Sequence, residues 1–135
     1  MVQHLIVPVD GSDASWRATD AACNLAPRCD ATVEVVEVVF DQVEESESRG
    51  RVSQRVTQHD TAGIEVSTST ILAEESVAHA LAERLDAQPD AMFVMSSHGR
   101  GRSAALLGSV AEELLQLTFG PVLVVGPHVA TAAFD

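Results

Sequence analysis

Two short stretches of this chain carry residue types suited to holding a ligand. The first is Pro8-Val9-Asp10-Gly11-Ser12. Its glycine permits a tight turn, and Asp10 or Ser12 can cap a following helix. The Asp10 carboxylate can equally accept hydrogen bonds from a ribose or hold a metal. The second stretch is Ser96-Ser97-His98-Gly99-Arg100-Gly101-Arg102-Ser103, followed shortly by Gly108-Ser109. Its two glycines let backbone amides come close to a ligand. Arg100 and Arg102 concentrate two of the chain's eight cations in one loop. Beyond them, Ser109-Val110-Ala111-Glu112 reads as a capping box that opens a helix. The unpaired N–H groups and positive dipole end of such a helix favour a phosphate. Amides, guanidinium groups and a helix N-terminus thus converge on anion binding.

Several sharper chemistries do not fit. Every cation is an arginine, so a Walker A loop, a protein-kinase strand lysine and a Schiff-base lysine are all excluded. Gly99-x-Gly101-x-x-Ala104 imitates a dinucleotide fingerprint but lies late in the chain, not in the first βαβ unit. No G-x-S-x-G elbow is present, and Ser97 and His98 are neighbours whose side chains should diverge on an extended strand end. The histidines at 4, 59, 79, 98 and 128 form no metal-ligand pair, and His98 reads as a residue that orients its loop. Phosphoryl transfer needs a group that positions water, and only Asp10 or His98 faces the phosphate loop. No catalytic residue is assigned, and a binding protein is expected rather than an enzyme, with slow phosphate-ester hydrolysis left open as an alternative.

Composition narrows the partners. Twenty acidic residues against eight basic ones give a formal net charge of −12, which repels a nucleic-acid backbone. The same charge favours solubility and is compatible with a high-salt habitat. Cys23 and Cys29 have neither disulfide-framework nor zinc spacing and read as packed thiols. The apolar runs are strand-length, well short of a membrane span, and the first residues have no signal-peptide character. A cytoplasmic protein is expected. At 135 residues, one domain covering 1–135 is the natural size.

These loops must be held by regular elements. Leu5–Val9, Val33–Phe40, Ala91–Met95 and Pro121–Val125 are near-continuous apolar runs, the pattern of strands buried on both faces. A fifth, 64–71, alternates more and looks less central. Glu34 and Glu37 suggest that part of the second strand reaches solvent. A helix should follow Ser12 and stop at Ala26 before Pro27, burying Trp16, Ala22, Leu25 and Ala26. Residues 76–86 place Val77, Ala78, Leu81 and Leu85 on one helical face, and Val110, Leu114 and Leu117 recur likewise. The polar segment 41–63, with the acidic run Glu44-Glu45-Ser46-Glu47, reads as a charged surface helix or a loop, its run simply solvated. Alternating strands and helices predict an α/β fold: a doubly wound, five-stranded parallel sheet with helices on both faces. Ligands of such sheets bind beyond the carboxyl strand ends, where strand order reverses.

Val-Pro-Val-Asp-Gly-Ser at 7–12, Ser-His-Gly…Leu-Leu-Gly-Ser-Val-Ala-Glu at 97–112 and Pro-Val-Leu-Val-Val at 121–125 together resemble the universal stress protein family. The resemblance runs the length of the chain. It implies a three-layer α/β/α fold of the adenine-nucleotide alpha hydrolase-like kind, a stress-response role, and a homodimer through strand 121–125. It also implies ATP or another adenine nucleotide as ligand, with Mg²⁺ accompanying it. Carried over, Pro8 and Asp10 line the adenosine side, with Asp10 near the ribose, and Val38 offers backbone contacts to adenine. Gly99, Gly108, Ser109 and Val110 surround the phosphates. Val9, Met95, Ser96 and His98 complete the candidate wall, with Arg100 and Arg102 reaching the phosphates as forked donors.

In the nucleotide-binding members of that family the phosphate signature is G-x-x-G, nine residues, then G-S or G-T. Here Ser96 stands at the first glycine, and only residues 100–107 separate Gly99 from Gly108. Ser96 would either crowd the nucleotide or hydrogen-bond to it. One missing residue moves the amides by up to about 3.5 Å, which the two arginines can offset. The alternative reading is a family member that does not bind nucleotide and acts as a dimeric interaction module.

Overall fold

A computed structural model describes residues 1–59, 61–98, 107–126 and 128. In chain order the elements are β1 (His4–Val9), α1 (Asp13–Cys29), β2 (Thr32–Val39), α2 (Gln42–Val56) and β3 (Val66–Leu72). They continue with α3 (Val77–Asp86), β4 (Ala91–Ser96), α4 (Ser109–Leu117) and β5 (Val122–Val125). All five strands pair in parallel in the order β3-β2-β1-β4-β5. The chain winds outward from β1 to β3 on one side, then returns to β4 and β5 on the other. The switch therefore falls between β1 and β4.

Side-chain alternation along the strands builds two cores. Leu5, Val7, Val9, Val33 and Val35 pack with Trp16, Ala22 and Ala26 of α1 and Val52 of α2. Ile6, Val36, Phe93 and Met95 point the other way, against Ala78, Leu81 and Leu85 of α3 and Leu114 of α4. Apolar residues at consecutive strand positions are needed because helices cover both faces. β3, the strand whose pattern alternates, lies at a sheet edge with no fully buried residue.

Three sequence expectations are corrected, and one left open is decided. First, α1 runs through Pro27 to Cys29 and ends on Asp30 in the left-handed region (φ 54°). Pro27 sits in the last turn, so one missing backbone donor does not end the helix, and the Asp30 N–H closes it on the Ala26 carbonyl. Second, Phe40 lies just past β2 and is exposed. Of the two readings left open for the segment 41–63, the helix is the one that forms, over residues 42–56, opened by Asp41, whose carboxylate accepts from the Glu44 N–H (2.8 Å). Ser48 and Val52 anchor it to the sheet.

Third, neither glutamate of β2 reaches solvent. Glu34 is 8% exposed and Glu37 is 5% exposed. Glu34 Oε1 meets His4 Nε2 (2.8 Å) and an Arg84 guanidinium nitrogen, while Ser69 Oγ donates to Oε2 (2.7 Å). Burial pushes its carboxyl upward. Hydrogen bonds from His4, Ser69 and Arg84, with the charge of Arg84, outweigh that and hold it below the usual value.

Candidate functional site

The carboxyl ends of β1, β2 and β4 surround a cavity of about 740 Å³, within the usual size range of small-molecule sites. Pro8, Val9, Asp10, Val38, Met95, Ser96, His98, Gly108, Ser109 and Val110 all line it. Gly99, Arg100 and Arg102 lie outside the described residues.

On the β1 side, Gly11 adopts φ 88°, a conformation that makes glycine the natural residue there. The chain then turns so that Ser12, not Asp10, caps α1. Ser12 Oγ accepts from the Ser15 N–H (3.2 Å). Asp10 stands one step further out. Its Oδ1 accepts from the Ser12 N–H (2.9 Å) and hydroxyl (2.6 Å), and its own N–H donates to Ser15 Oγ (3.1 Å). The carboxylate at the cavity rim is thereby fixed in orientation.

On the β4 side, the Ser96 hydroxyl donates to the Ala14 carbonyl in the first turn of α1 (2.5 Å). The Ser96 side chain thus ties β4 to α1. The Ser97 N–H donates to the Val125 carbonyl (2.8 Å), and Ser97 Oγ lies 3.0 Å from His98 Nδ1. The expectation that these two side chains diverge is overturned. β4 ends at Ser96, so strict alternation no longer governs the pair.

The start of α4 is also corrected. Gly108 is the N-cap, with no side-chain hydrogen bond closing the end, so the proposed Ser109 capping box does not form. The Gly108 N–H donates to the Ser97 carbonyl (2.7 Å), and a Cβ there would lie only 3.1 Å from that oxygen. This close seat against β4 is why glycine takes the cap. Ser109 becomes the first helical residue, and Val110 is turned to the cavity instead of the core stripe. Among the described residues, no side chain closes the first turn, whose backbone N–H groups have no partner within the helix.

The far end of the cavity was missed from sequence. Glu37, Phe40, Glu44, Glu47 and Arg51 line it. Glu44, Glu47 and Arg51 recur at i, i+3 and i+7, one helical face beside the buried Ser48 and Val52. That spacing was the available signal, hidden because the run read as solvated charge. Arg51 pairs with Glu37, and the Phe40 N–H donates to Glu44 Oε2 (3.1 Å). Among the described residues no group of three or more His, Cys, Asp or Glu side chains forms a metal site.

A parallel doubly wound sheet with a cavity at its switch point defines a class of ligand-binding α/β proteins. Residues 1–126 match the profile of the Universal stress protein family, and the chain belongs to that family. A universal stress protein of Methanocaldococcus jannaschii, MJ0531, is 26% identical over 142 residues, covering 93% of this chain and 82% of its own. A universal stress protein solved in complex with cAMP superposes with TM-score 0.72 at 24% identity, covering 93% of this chain and 98% of its own. One from Archaeoglobus fulgidus, solved in complex with dAMP, gives TM-score 0.68 at 17% identity, with coverages of 92% and 97%. At these identities the structures show the shared fold.

Proposed function

We propose that this protein binds an adenine nucleotide, ATP or a close relative, in the cavity at the carboxyl ends of β1, β2 and β4. The observation that carries the reading is the start of α4, open to the cavity with no side-chain cap. Strand order supplies a ruler. The phosphates sit over β4 beside Gly108 and against the Ser109 and Val110 amides, the ribose over β1 beside Asp10, and the base over β2 at Val38. Strands spaced by about 4.8 Å put β2 roughly 10 Å from β4, on the order of the span from a 5′-phosphate to the far edge of its base. The complexes of related proteins with cAMP and dAMP support the same ligand class. Ser96 is compatible with it, since its hydroxyl is engaged with Ala14. Arg100 and Arg102 reach the phosphates in this proposal, and Mg²⁺ accompanies a triphosphate.

The role is regulatory and stress-related, without catalytic turnover, with nucleotide occupancy biasing the contacts of a homodimer. β5 forms one sheet edge, and an unpaired apolar strand is a template for pairing with a second copy. The exposed Phe119, just before it, extends that surface. A cytoplasmic setting belongs to the same proposal, supported by Cys23 and Cys29 forming no disulfide. Equilibrium binding of labelled ATP, with and without Mg²⁺, tests the central part. A dissociation constant well below millimolar is expected, and one no better than millimolar in both conditions refutes it.

A further inference from the structure

The end of the cavity opposite α4 carries its own chemistry. Glu37 lines the cavity, yet its side chain is 7% exposed. A buried carboxylate needs hydrogen-bond donors for both oxygens. Arg51 donates to Oε1, and Oε2 has no partner among the described residues. The half-exposed guanidinium of Arg51 holds the carboxylate in place from α2. Glu44 and Glu47 add negative charge to the same wall, while Phe40 supplies an aromatic ring at the mouth. Such an end accepts a group that donates hydrogen bonds and disfavours one that presents only oxygen lone pairs.

In the nucleotide pose proposed above, this end lies under the base. Glu37 pairs with Val9 on β1 and Thr70 on β3, and Val38, the backbone contact assigned to the base, follows it directly. We infer that Glu37 is the base-selecting residue, its open carboxylate oxygen accepting a hydrogen bond from the exocyclic amine of adenine. Arg51 is its positioning residue. The inference rests on the nucleotide reading of the cavity and adds a selectivity that backbone contacts at Val38 alone would not produce. A base carrying a carbonyl in place of the amine turns an oxygen toward a carboxylate. The analogue loses a charge-assisted hydrogen bond and gains a repulsion.

The test compares AMP with IMP, which share sugar and phosphate and differ at the amine, by equilibrium titration of the wild-type chain and of Glu37→Gln. The wild-type protein should bind AMP at least about tenfold more tightly than IMP. In Glu37→Gln the ratio should fall to within about threefold, because the amide can donate to the IMP carbonyl. AMP and 2′-deoxy-AMP should respond equally to the substitution. Equal wild-type affinities for AMP and IMP overturn the inference while leaving nucleotide binding intact, and that measurement needs no variant. Loss of AMP and IMP binding in equal proportion in Glu37→Gln also overturns it, by placing the carboxylate on the sugar or in the fold. A wild-type protein that binds neither AMP, IMP nor ATP removes the nucleotide reading itself.

Discussion

Glu34 and Glu37 stand three residues apart on the same strand, equally buried, and serve opposite ends of the sheet. Glu34 faces α3, and both its oxygens are satisfied by His4, Ser69 and Arg84. Glu37 faces α2 and the cavity, with one oxygen held by Arg51 and the other without a protein partner among the described residues. The odd spacing sends the two side chains to opposite faces of β2. A fully saturated buried carboxylate ties elements together and has nothing left to offer a ligand. A half-satisfied one at a cavity wall retains binding capacity. Degree of saturation, not burial, separates the structural acid from the one proposed for recognition.

The largest expected effect lies at the saturated end. Glu34→Ala leaves Arg84 and His4 without their shared carboxylate, and should cost about 3 kcal/mol of stability in urea unfolding. Nucleotide affinity should be unchanged. The same carboxyl gives a pH signature. Its folded pKa is lowered from 4.5, so its contribution is complete above that value and is lost as pH falls through the lower folded value. Unfolding curves taken between neutral and acidic pH should show this loss in the wild-type protein and a smaller one in Glu34→Gln.

At the cavity, replacing Arg100 and Arg102 together with Ala should weaken ATP binding tenfold or more, about 1.4 kcal/mol at the least. AMP, with less phosphate charge, should lose less. Equal losses for the two ligands would separate the arginines from the phosphates. Gly108→Ala places a Cβ 3.1 Å from the Ser97 oxygen and displaces the start of α4. A several-fold loss of affinity, about 1 kcal/mol, is expected with little change in melting temperature. Glu37→Gln should also have a small effect on stability. Arg51 is half-exposed, so losing this pair should cost under about 1 kcal/mol in the same urea assay. A cost as large as that of Glu34→Ala would erase the contrast between the two acids.

Much of this fold was legible in the sequence because two-sided strands leave a strong pattern. Leu5–Val9 and Ala91–Met95 could hardly be anything else in a chain with intervening amphipathic helices. The carboxyl-edge loops were legible because glycines and small hydroxyl residues cluster there. What the sequence concealed was satisfaction. Glu34 and Glu37 looked solvent-bound because their partners, Arg84 and Arg51, arrive from helices 50 and 14 residues later. The helical character of 42–56 was faint because only Ser48 and Val52 are buried, and with it the far wall of the cavity was lost. Gly108 displaced Ser109 as cap because the fit against Ser97 is tertiary, beyond the reach of a local motif.

The central claim is that a nucleotide lies along the carboxyl edge, phosphates at α4 and base at β2. Amide chemical-shift mapping during an ATP titration tests it most directly. The account predicts saturable shifts at Asp10, Val38, His98, Ser109 and Val110, with His4, Glu34, Ser69 and Arg84 unmoved. Saturation accompanied by shifts centred on the Glu34 cluster, or no shifts at the carboxyl edge at millimolar ATP, would contradict it.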